Sequence, residues 1–420
     1  MDQITTPIAH PDAHKAKLAR LADVAVRIGL NLQPGQELVM TASVEALPLV
    51  RLVTDAAYRA GGSLVTTILG DDQQTLSRFR HASDASFDHA PGWLFDGMAE
   101  AFRGGAARLA IVGEDPNLLA KQDPERVARA NRARAKAYRP ALDLITASAI
   151  NWSLIPFASP AWARAMFPDL LEADAITRLW DAIFAATRVD AADPIGAWTT
   201  HNAVLMHRRL MLTDRRYAAL HFRGPGTDLI VGLADNHAWM GGLSTARNGV
   251  TGNPNIPTEE VFTTPHAART EGHVRASKPL AYQGTLIRDI RVRFEGGVIV
   301  EASASSGQAV LERMIGTDEG ARRLGEVALV PASSPISQSG LLFLNTLFDE
   351  NAASHIALGQ AYKKCFVDGE TLEEDAFLAR GGNSSLIHVD WMIGSAEMDV
   401  DGLDPQGRPE PLMRAGEWVA

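Results

Sequence analysis

Cysteine is nearly absent: the 420 residues contain one, Cys365. That excludes an internal disulfide and any cysteine-rich zinc module. Positive charge is in deficit, with 40 Lys and Arg against 50 Asp and Glu and a net charge of -10. No long basic stripe is available to follow a phosphate backbone, so nucleic acid is not an expected partner. No uninterrupted apolar run reaches about 18 residues, and no basic N-terminal stretch precedes an apolar one. Neither membrane insertion nor secretion is expected, and a reducing cytoplasm fits a lone thiol. Both phosphate-binding glycine motifs, G-x-G-x-x-G and G-x-x-x-x-G-K-[ST], are missing. Instead the run Leu109 to Val112 enters Gly113-Glu114-Asp115-Pro116, whose acids would repel a pyrophosphate. The G-x-S-x-G elbow of serine hydrolases is missing too: Ser384 and Ser385 lie in GGNSSL and Ser339 in SQSGL. Cys365 follows Lys363 and Lys364 and is the one available thiol nucleophile, although such thiols are more often inert and part-buried.

What is present is a globular composition, 46% hydrophobic and 21% charged. The length exceeds what one core usually covers, so two domains are expected, 1–190 and 191–420. In the first, Leu18, Leu21, Val24, Ala25 and Ile28 recur at helical spacing over 14–30. A Pro-Gly turn then leads into a short strand at 37–40, a helix at 45–60 closed by Gly61-Gly62, and an apolar run at 63–69. A strand at 108–112, a helix at 115–137 and a further strand at 143–150 continue the alternation. The pattern predicts a largely parallel sheet with helices on its faces.

After the small, polar segment 189–196, a helix is expected at 197–212. Its His201 and His207 are six apart and so on different faces, as ordinary satisfied histidines would be. The texture then becomes strand-rich, with β-type runs at 218–222, 229–232, 274–276, 285–294 and 297–302. One helix is expected at 307–324, or two shorter ones divided after Gly316. The second domain is therefore read as α+β.

The densest chemistry lies between Glu350 and Asp390, where Glu350, His355, Tyr362, His388 and Asp390 fall within forty positions. Carboxylates and imidazoles are donors for borderline divalent metals, and a carboxylate can bridge two ions. Residues 385–393 read as a buried strand on which His388 and Asp390 share a face, either as a structural pair or as metal ligands. His355 and Tyr362 would share a face if 353–362 were helical, a reading Gly359 weakens. Glu326 opens the apolar run 327–330; it is either an exposed strand-end residue or a buried carboxylate in need of a cation. Trp239, Met240 and Trp391 are candidates for pocket lining or plain core.

Six runs carry a family resemblance: IGLNLQPGQELVM at 28–40, EALPLVRLVTDAAYRAGG at 45–62, NIPTEEVFTTP at 255–265, GEVALVPASSPIS at 325–337, LFDENAASHIALGQAY at 347–362 and HVDWMIGSAEMDVDG at 388–402. Together they resemble the thermophilic aminopeptidase family of bacteria, peptidase family M29, almost end to end. The resemblance implies an N-terminal α/β domain, a C-terminal catalytic domain around an enclosed cavity, and a homodimer. It implies two divalent metal ions (zinc, cobalt, manganese or magnesium) held by Glu260, Glu326, Glu350, His355, His388 and Asp390, with Tyr362 as the active-site tyrosine. Glu259 and Glu260 face opposite ways in an extended segment, so one of them should reach the metals, and the resemblance favours Glu260. The activity implied is removal of N-terminal residues, apolar ones such as leucine foremost, from peptides with a free N-terminus, using a water activated by both ions. On this reading Glu326 bridges the metals and Tyr362 donates to the oxyanion. The alternative is a metal-dependent amidohydrolase or dipeptidase acting on a small non-peptide amide.

Overall fold

A computed structural model describes residues 11–282 and 285–419. Residues through Thr200 group with Leu243–Pro257 in one unit, and His201–Gly242 group with the residues from Thr258 onward in the other. The division falls later than the expected 190/191, inside the helix Pro194–Arg215. It also returns a short excursion to the first unit. That excursion is held by backbone pairing: Leu154 N–H donates to the Pro254 carbonyl at 2.8 Å and Ile256 N–H to the Leu154 carbonyl at 3.0 Å.

In the first unit the strands Glu37–Ser43, Leu64–Gly70, Ala107–Val112 and Trp152–Pro156 form one parallel sheet. Its order places Leu64–Gly70 at one edge, then Glu37–Ser43, Ala107–Val112 and Trp152–Pro156. The helix Leu47–Arg59 buries Leu49, Val50, Val53, Ala56 and Ala57 along one stripe. Its end is closed as the Gly61-Gly62 pair predicts, with Gly61 at φ +92° and Gly62 N–H donating to the Ala57 carbonyl at 2.9 Å.

Two expectations for this unit fail. The helix expected at 115–137 is Pro124–Thr146, because Asp123 caps the Glu125 N–H at 2.9 Å and Pro124 fits the first helical turn. The strand expected at 143–150 does not form: its first residues complete that helix, where Ala141 and Ile145 share a buried face. Ser148 then turns the chain at φ +49°, ahead of the true strand at Trp152–Pro156.

The second unit is strand-rich as expected. An eight-stranded antiparallel sheet runs from Val298–Ser303 at one edge to Glu417–Trp418 at the other. The run at 274–276 is the end of a long strand, Pro265–Arg275, and 285–294 is two strands parted by Asp289 at φ +50°. The helix expected at 307–324 is the shorter alternative, Gln308–Ile315 ending at Gly316, followed by a single 3-10 turn at Gly320–Arg322. A second antiparallel sheet orders His388–Met392, His355–Gly359, Leu324–Leu329 and Val261–Thr263. Residues 355–359 are thus a strand and not part of a helix. All five are buried between neighbouring strands, and Gly359 sits at φ +103°, outside helical space.

Candidate metal centre

The register of this four-stranded sheet assembles the site. Asp390 pairs with Ala357, which pairs with Glu326; His388 pairs with Gly359 and His355 with Ala328. Directly paired residues and those two apart share a face. His388, Asp390, His355 and Glu326 therefore project to the same side, while Ala328, Ala357 and Gly359 on that side leave room between them. Glu260 enters from the residue preceding Val261–Thr263. Glu350 comes from the 3-10 turn Glu350–Ala352, which follows the short helix Thr346–Asp349.

Donor atoms fall into two groups that share one carboxylate. Glu260, Glu326 and His355 form one, and Glu326, His388 and Asp390 the other, with the ligand atoms of each group within 4.8 Å of one another. The sharing is literal at the atomic level. Glu326 Oε1 lies 3.5 Å from His355 Nε2, and Glu326 Oε2 lies 3.9 Å from His388 Nε2. His355 Nε2 is 3.2 Å from Glu260 Oε2, and His388 Nε2 is 3.4 Å from Asp390 Oδ1. Both rings are aimed from behind: His355 Nδ1 donates to the Ala353 carbonyl at 3.1 Å and His388 Nδ1 to the Gln360 carbonyl at 2.6 Å. A carbonyl can only accept, so each ring holds its Nδ1 proton there and turns Nε2 into the site.

Burial and like charge make the cluster unstable as a set of bare ions. Burial raises the pKa of Glu326, the His355 contact opposes it, and the Asp390 and Glu260 charges add to the rise. Glu350 stands well above the carboxylate range, first through burial and then through Glu260 and Asp390. Burial lowers the pKa of both histidines, yet the facing carboxylates prevail: Glu260 and Glu326 lift His355 well above its ordinary value, and Asp390 with Glu326 brings His388 to about 9. Glu260 Oε2, His355 Nε2 and Asp390 Oδ1 are buried with no hydrogen-bond partner. Orphaned buried atoms in both donor groups, all of metal-ligating types, fit bound cations.

Tyr362 stands at the rim, 37% exposed, with its ring 4.7 Å from that of His388. Burial raises its phenol pKa further, followed by the Glu326 and Asp390 charges, so it keeps its proton at neutral pH. Lys364 Nζ lies 5.0 Å from the Tyr362 ring centroid. Glu259 is buried but points elsewhere, its carboxylate 3.6 Å from His201 Nε2. Trp239 and Trp391 are core residues, each 1% exposed. Cys365 is buried, and burial pushes its thiol up to about 12, which leaves no thiolate for nucleophilic attack.

One residue escaped the sequence reading. Asn351, fully buried, accepts the Glu259 N–H at 2.7 Å and donates to the Leu347 carbonyl at 2.9 Å, so it ties the segment bearing Glu260 to the turn bearing Glu350. The available signal was an amide directly after Glu350 and ahead of the Ala352-Ala353 pair.

A buried centre of carboxylates and imidazoles on a sheet face, with a protonated phenol at its rim, is that of a metallohydrolase. The family described as thermophilic metalloprotease (M29) matches residues 14–418. Aminopeptidase T of Thermus thermophilus is 57% identical over 408 residues, covering 97% of this chain and 100% of its own. Aminopeptidase 2 of Geobacillus stearothermophilus is 45% identical over 403 residues, 96% of this chain and 98% of its own. The solved structure of wild-type AmpT from Thermus thermophilus superposes with a TM-score of 0.92 at 55% identity, covering 97% of this chain and all of that one. The chain belongs to the M29 family of thermophilic metalloproteases.

Proposed function

We propose that this metal-dependent aminopeptidase takes two divalent ions, for which Glu326 would be the ligand common to both donor groups, and releases apolar N-terminal residues such as leucine from peptides with a free α-amine. The observation that carries this reading is the pair of donor groups meeting at Glu326, whose two oxygens face two different histidines. Charge supports the number: Glu260, Glu326, Glu350 and Asp390 carry four negative charges when ionised, which two divalent ions balance and one does not. Glu350 lies outside both tight groups, and we assign it as the sixth ligand on that charge balance and on the family match. When bound, two such ions lower the pKa of a water and polarise the scissile carbonyl. The chain's own residues do the rest. The Ala353 and Gln360 carbonyls fix the two imidazoles, Asn351 fixes the loop bearing Glu260, and Tyr362 retains a hydroxyl proton to donate to the oxyanion that develops on the substrate carbonyl.

The amidohydrolase alternative has no comparable support, since the family match and the named relatives concern peptidases. Zinc, cobalt, manganese and magnesium all accept these donors, so the native ion is decided by affinity and supply. No helix among the described residues is long and apolar enough to cross a membrane. A cytoplasmic homodimer completes the reading. The test is hydrolysis of leucine p-nitroanilide by the purified protein before chelation, after it, and after return of each ion singly. Activity should vanish and return, and N-acetyl-leucine p-nitroanilide should resist. Equal rates on the free and acetylated substrates would make this an endopeptidase or a general amidase.

A further inference from the structure

A cleft of about 310 Å³ in the second unit has Arg275, Lys278, Pro279, Arg288, Asp289 and Glu397 in its wall. That volume suits a small ligand or part of one. Arg275 is already neutralised, its guanidinium donating to Asp289 at 3.0 Å. Lys278 is not: among the described residues no hydrogen bond or ion pair closes on its ammonium. Burial lowers its pKa and the Asp349 charge acts against that, with no ion pair between the two.

Its position is fixed relative to the metal centre. The N–H of Ser277 donates at 2.9 Å to the carbonyl of Met392, the last residue of the strand that bears His388 and Asp390. On the other side of Lys278, Pro279 walls both the cleft and a smaller cavity of about 40 Å³ whose lining includes Asp349, Glu350 and Asp390. Pro279 thus borders both the cleft that Lys278 lines and the cavity that Glu350 and Asp390 line.

We propose that Lys278 binds the C-terminal carboxylate of short peptides whose N-terminal residue occupies the metal centre. The inference rests on the aminopeptidase reading and adds a substrate class to it. An extended peptide covers at most about 3.3–3.6 Å per residue, so its free carboxylate arrives near the amine-bearing end only when the peptide is short. A carboxylate brought to Lys278 gives its ammonium a hydrogen-bond partner of opposite charge. Larger peptides, whose carboxylate lies further away, gain nothing from it.

The test is kcat/KM for Leu-Gly, Leu-Gly-Gly and Leu-Gly-Gly-Gly, each as the free acid and as the C-terminal amide. Wild type, Lys278→Met and Lys278→Arg are compared, with leucine p-nitroanilide as a substrate without a carboxylate. At one or more lengths wild type should favour the acid by about tenfold, the worth of one hydrogen bond to a charged group. Lys278→Met should bring that ratio within about twofold of unity, and Lys278→Arg should keep most of it. Anilide turnover should be the same in all three, which also reports that the variants fold. An acid-to-amide ratio near one in wild type, or a ratio unchanged in Lys278→Met, overturns the inference while leaving the aminopeptidase reading intact. Failure of the metal-loaded wild type on the anilide as well would bring down both.

Discussion

Tyr362 has the most separable role at the scale of single residues. It touches the His388 ring but belongs to neither donor group, and its raised pKa keeps it a donor at neutral pH. Tyr362→Phe should lower kcat by about 10²-fold, as loss of one preorganised oxyanion donor does, with bound metal unchanged. Metal analysis beside kinetics checks this; lost metal with normal turnover per ion would give the tyrosine a structural role. A second residue-scale prediction concerns His237, which is buried, donates from Nδ1 to the Ala234 carbonyl at 2.9 Å and has no partner for Nε2. Burial lowers its pKa below the ordinary 6.5. The neutral ring therefore contributes stability that is present above about pH 6.5 and is lost as pH falls below it, because the unfolded chain takes up the proton first. His237→Asn keeps a donor and removes the titration. The loss of melting temperature between pH 7 and pH 5 should be smaller in that variant, and identical slopes would refute the assignment.

The four-stranded sheet is the element that converts separate motifs into a site. Gly359 is its tightest point: φ is +103°, and a Cβ there would stand 2.1 Å from the Ile387 carbonyl oxygen. Gly359→Ala should cost about 2–4 kcal/mol and loosen the His388 strand, lowering both melting temperature and metal content. Normal stability and full metal loading would show that the strand yields without disturbing the ligands. The same sheet explains what the sequence made readable. His388 and Asp390 two apart in an apolar run already specify one face, and that face is where both are found. His355 and Tyr362 misled through their helical spacing, because 355–359 is buried on both sides by strands and burial pattern alone does not tell a short inner strand from a helix. Glu326 stood undecided between surface and interior, since its burial depends on neighbours that arrive from positions 261 and 355. The shifted helix at Pro124–Thr146 is a boundary set by a cap, and Asp123-Pro124 was there to be read.

For the whole molecule, the family match over residues 14–418 extends the account beyond the site to both units. A homodimer of this 45.2 kDa chain should appear in light scattering at about twice that mass, and a monomer that retains full activity would contradict the proposed assembly. The central claim is that Glu326 joins two metal ions into one centre, and ion content tests it most directly. Wild type and Glu326→Gln should be chelated, reloaded and analysed by mass spectrometry for metal per chain, with leucine p-nitroanilide turnover measured on the same samples. The account predicts about two ions per active wild-type chain, and loss of both ions and of turnover in Glu326→Gln. Full activity at one ion per chain, or two ions retained without the Glu326 carboxylate, would contradict it.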